Sequence, residues 1–94
     1  MIGSSLSKAE LASLKTKKGG ARLTDVLVRE MVDSQGEPAL EAILVFANAV
    51  TDEDLRWRKI EPVVAETRRL VRETMADGKY VYFKVRRRKE LATA

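Results

Sequence analysis

The sequence predicts an α+β domain: a short N-terminal helix, then strand, strand, helix, strand, with three strands in one sheet and a long helix on one face. Three observations carry this. Two apolar, partly β-branched stretches, 25–32 and 38–47, flank a cluster of turn formers. An acid-rich segment at Thr51–Asp54 opens a run with helical spacing. Residues 79–88 alternate with a period of two.

The first helix is expected over residues 8–16. Ser7 and Glu10 have capping-box spacing, in which hydroxyl and carboxylate each satisfy a free backbone N–H. Leu11 and Leu14 give it one weak apolar face, too little to stand alone. Lys15 to Gly20 then reads as a flexible basic Gly-Gly linker, so residues 1–20 form an arm and 21–94 a single ββαβ domain with a basic C-terminal end.

Asp33-Ser-Gln-Gly36-Glu37 is turn chemistry between two strands, which makes 25–47 a hairpin. Leu23, Val26, Leu27 and Met31 also fit helical spacing, as do Leu40, Ile43, Leu44 and Ala47. Valine content and the central glycine favour strands.

The long helix is expected from Thr51 to about Ala76, with acids in its first turn and Asp77-Gly78 as its stop. Pro62 lacks the N–H for the carbonyl four residues back, so a kink or two abutting helices is expected. Val63, Val64, Thr67, Leu70, Val71 and Met75 form the stripe that lies on a sheet, with Arg68, Arg69 and Arg72 largely away from it. In the last strand Val81, Phe83, Val85 and Arg87 alternate with Tyr80, Tyr82, Lys84, Arg86 and Arg88. The expected spatial order is 2-1-3, with the last strand antiparallel beside the first.

Composition narrows function mainly by exclusion. The 94 residues contain neither cysteine nor histidine, which removes disulfides, Cys/His zinc sites and histidine-based catalytic triads. No stretch approaches the roughly 18 apolar residues of a membrane span. The N-terminus shows no signal-peptide pattern, so the expectation is a cytoplasmic protein without metal or cofactor. Charge is segregated: +4 over 1–22, −7 over 23–54, +2 over 55–77 and +5 over 78–94. Such opposed fields suit a nucleic-acid surface or complementary subunit patches.

No pair of groups suggests catalysis, and the expectation is a non-enzymatic protein-interaction module, a subunit or adaptor that self-associates. Both alternating sets of the second strand, Ala42/Leu44/Phe46 and Ile43/Val45/Ala47, are apolar, whereas one helix covers one face. The uncovered face is expected to meet the N-terminal helix, a second copy in a homodimer, or a protein partner. Ile43, Val45, Phe46 and the single tryptophan, Trp57, are the expected interface residues.

The alternative is a nucleic-acid-binding domain. Tyr80 and Tyr82 offer rings for base stacking, and Lys84, Arg86 and Arg88 offer phosphate contacts along the same line. Lys17 and Lys18 on the arm would reach the backbone. The string Gly78–Val85 does not follow the RNP1 order, and a solvated basic edge explains the same residues. No Walker pattern surrounds Gly19-Gly20, although Lys15, Lys17, Lys18 and Arg22 there invite phosphate. Asp52, Glu53 and Asp54 fit the helix dipole better than a magnesium site.

Overall fold

The computed structural model describes residues 7–76 and 78–91, without the side chains of Met75 and Ala76. Its elements are α1 (Lys8–Lys15), β1 (Leu23–Val32), β2 (Pro38–Phe46), α2 (Trp57–Val71), a π turn (Arg72–Ala76), β3 (Tyr80–Arg87) and α3 (Arg88–Leu91).

The capping box at the start of α1 forms as its spacing predicts: Glu10 N–H donates to Ser7 Oγ at 3.2 Å, and Ser7 N–H to Glu10 Oε1 at 3.0 Å. Leu14 is fully buried in the same core as α2 and the sheet. Residues 16–20, read from the sequence as a linker, form successive turns that pack on α2, and Gly20 is buried.

The hairpin is present. Gly36 N–H donates to the Asp33 carbonyl at 3.0 Å, and Asp33 Oδ1 accepts from the N–H groups of Gln35 and Glu37. Gly36 takes φ 79, the left-handed conformation this turn requires. β1 and β2 pair antiparallel, from Val32 opposite Pro38 to Leu23 opposite Phe46. A bulge at Thr24 keeps both Leu23 and Val26 in the core.

The sheet order differs from the expected 2-1-3. β3 lies parallel beside β2, giving order 1-2-3 with β2 in the centre. The physical reason is the burial of β2. Leu40, Ala42, Leu44 and Phe46 face α2, Ala39 and Val45 are buried on the other side, and a strand buried on both faces belongs between two others. β1, with Arg29 and Glu30 exposed, is the better edge.

The long helix starts later than its acids suggest. Thr51 and Asp54 do form a reciprocal capping pair, at 3.0 and 3.2 Å, but the turn they open stops at Leu55. α2 begins at Trp57, so Pro62 falls in its second turn and a single α-helix runs to Val71. Ile60, Val63, Val64, Thr67 and Val71 are its buried face. The π turn carries the helical segment to Ala76, and the chain turns at Gly78 into β3; Asp77, the other half of the expected stop, lies outside the described residues.

Arg87 ties the end of β3 to the loop after β2, donating to the Val50 carbonyl at 2.9 Å and to Asp52. Arg68 of α2 lies over the Phe83 ring at 5.1 Å and covers the outer strand of the core.

Candidate functional site

α1 and α2 lie on the same side of the sheet, with Leu14 in the α2-facing core. The N-terminal helix therefore does not cover the opposite face, which no described element packs upon. Strand register divides that face into four cross-rows: Met31–Ala39–Tyr80, Arg29–Glu41–Tyr82, Leu27–Ile43–Lys84 and Asp25–Val45–Arg86.

The rows explain how the central strand is buried without a partner. Ala39 lies between Met31 and Tyr80, Val45 lies between Asp25 and Arg86, and both are buried. Glu41 is buried because two cations fold over it. Arg29 reaches Oε1 at 2.6 Å, and Lys84 Nζ reaches Oε2 at 2.9 Å. Burial pushes the Glu41 carboxyl up, but hydrogen bonds from Lys84 and Arg29, with their charges, outweigh this and hold it below the usual glutamate range. It is thus an anion saturated by partners and a poor general base.

Two tyrosines dominate the exposed edge. Tyr80 is 58 % exposed and Tyr82 38 %, with ring centroids 4.6 Å apart and planes at 63°. Burial raises the Tyr82 phenol pKa, and the Asp33 carboxylate, 3.5 Å from its hydroxyl, adds to this. The phenol stays neutral at ordinary pH. Lys84 and Arg86 continue the same line, and among the described residues the Arg86 side chain donates to its neighbour's carbonyl, that of Val85.

Tyr80, Tyr82, Lys84 and Arg86 therefore form one row, as the alternation predicts. Arg88 leaves it, because the strand ends at Arg87 and α3 turns away, anchored by Lys89 N–H donating to Asn48 Oδ1 at 2.7 Å. Lys17 and Lys18 sit in the turn packed on α2, on the other side of the sheet. The four expected interface residues do not share a surface either. Ile43 and Val45 are on the open face, Phe46 is buried beneath α2, and Trp57 opens α2 with its indole N–H donating to Glu61 at 2.9 Å.

Sequence reasoning missed Arg29 and Glu41. The signal was present: a lone carboxylate inside the apolar run 38–46 is rarely buried unless cations from neighbouring strands meet it. Among the described residues no group of three acidic side chains is placed to hold a metal ion, and no helix is long and apolar enough to cross a membrane. Comparison with protein-family models, curated proteins and solved structures finds no match.

Proposed function

We propose that the chain is a non-enzymatic binding module that takes single-stranded nucleic acid on the open sheet face. The observation behind this reading is the row formed by Tyr80 and Tyr82, exposed and adjacent, continued by Lys84 and Arg86. Rings accept bases whatever their sequence, and cations along the same strand meet the phosphates. Glu41 offsets Lys84 and Arg29 but not Arg86, which makes no ion pair among the described residues. A single strand suits the face better than a duplex, because stacked, paired bases present no free ring surface to the tyrosines.

The test is fluorescence anisotropy with labelled random single- and double-stranded oligonucleotides. With about three phosphate contacts, a fourfold rise in salt should weaken single-strand binding about twentyfold. Micromolar single-strand binding with such a slope, lost in Arg86→Glu, supports the reading. No binding at low salt refutes it.

A second copy on the same face is the other reading, favoured by Leu27, Met31 and Ile43, each only part-buried there. The apolar central strand is less available than its composition suggests, since Ala39, Val45 and Phe46 are buried within one chain. Light scattering separates the two: a dimer broken by Ile43→Asp supports self-association, and a monomer at tens of micromolar removes it.

A further inference from the structure

On the helical side of the sheet, the turn between α1 and β1 meets the start of α2 around a depression of about 310 Å³. Phe46, Val50 and Leu55 contribute apolar lining, and Lys18, Arg22 and Lys59 bring three cations against one carboxylate, Asp54. Gly19 makes the gathering possible. A Cβ there would fall 2.1 Å from the Lys59 carbonyl oxygen, so the turn rests directly on the helix backbone and carries its cations to Lys59.

Lys18 and Arg22 make no ion pair among the described residues, and Arg22 acts on the Asp54 carboxylate only through longer-range charge. Lys59 shares Glu53 at 3.5 Å with Arg56, which holds the same carboxylate at 2.8 Å. Asp54 is engaged by its own capping pair. The Thr51 backbone N–H, followed by the Thr51 hydroxyl, holds its carboxyl below the usual aspartate range, with the charges of Lys59 and Arg22 adding to this, so it stays an anion in the lining. Three cations against one carboxylate leave the hollow with an excess of positive charge, and an incoming anion lowers that excess. Concave, mostly apolar surfaces with a few convergent polar groups are the usual form of small-molecule sites, and this volume is at their lower end.

We propose that this depression binds a small organic anion, with an apolar body about the size of one aromatic ring over Val50 and Leu55. Its phosphate or carboxylate head lies between Lys18 and Arg22, whose guanidinium can hold either head group by two hydrogen bonds. The site is independent of the sheet face and stands or falls separately from nucleic-acid binding.

The experiment is an NMR titration of the backbone amides with four probes: phenyl phosphate, benzoate, inorganic phosphate and benzyl alcohol. Saturable shifts at Gly19, Val50 and Leu55 with either organic anion, half-complete near about 1 mM, support the proposal, and the tighter one identifies the head group. Arg22→Gln and Lys18→Gln should each weaken binding about two- to fivefold without changing Tm. Tyr82→Ala and Arg86→Glu should leave it unchanged. The proposal is overturned by no response to either organic anion, by inorganic phosphate or benzyl alcohol binding as tightly, or by binding indifferent to both cation variants.

Discussion

The ammonium of Lys84 lies 2.9 Å from Oε2 of Glu41, a buried carboxylate in the middle of the central strand. Arg29 closes on the other oxygen from β1, so a single anion joins all three strands on the open face. Replacing Glu41 by glutamine keeps its shape but leaves both cations facing a neutral amide. The expected loss is about 1–3 kcal/mol by urea denaturation, with Arg29 and Lys84, each about half exposed, recovering part of it through water.

The same carboxylate predicts a pH dependence. Its folded-state pKa lies below that of the unfolded chain. Its contribution is therefore complete above the ordinary glutamate range, about 4.3, and is lost as pH falls through the folded value. Thermal melts between pH 7 and pH 3 should show the wild type losing stability more steeply than Glu41→Gln. Parallel curves would mean the pair contributes nothing.

Tyr80→Ala and Tyr82→Ala should each weaken a bound single strand about tenfold, one stacked base apiece. Tyr80 is the more exposed, so its removal should leave Tm nearly unchanged. Oligonucleotide affinity that is indifferent to both would place the nucleic acid elsewhere on the molecule.

Arg87 separates a hydrogen bond from an ion pair. Asp52 is almost fully exposed, so Asp52→Asn should cost no more than about 0.5 kcal/mol. Arg87→Ala also removes the donor to the Val50 carbonyl, in a part-buried place, and should cost about 1–2 kcal/mol. Equal effects in chemical denaturation would assign the role to the ion pair instead.

The glycines give a third contrast. An alanine Cβ at position 20 would lie 2.2 Å from the Leu14 carbonyl oxygen, and at position 19 it would meet Lys59 at φ 86. Both substitutions press on backbone and should cost about 2–4 kcal/mol. Gly36→Ala meets nothing within 4 Å and should cost only its left-handed strain, about 1 kcal/mol. Melting temperatures of the three variants check the ranking.

Phe46 shows where a sequence-based test misleads. Its place in the apolar second strand marks Phe46 as an interface residue, yet the ring is buried under α2. Phe46→Asp should unfold the chain outright, visible as lost far-ultraviolet circular dichroism, and reports nothing about assembly. Ile43, on the open face and part-buried, is the position that does.

Local chemistry was legible in the sequence. Ser7 with Glu10, Asp33 with Gly36, and the alternation that puts Tyr80, Tyr82, Lys84 and Arg86 on one side all act over a few residues, and each is present in the fold. The start of α2 was not legible. Thr51 and Asp54 make the capping pair their types demand, but a local pair does not decide whether the next turn continues. Strand order, the cover on Glu41 and the meeting of Lys18, Arg22 and Lys59 were decided only in three dimensions. Each depends on burying β2 on both faces, or on a glycine letting two backbones touch, and both are contacts between residues far apart in the chain.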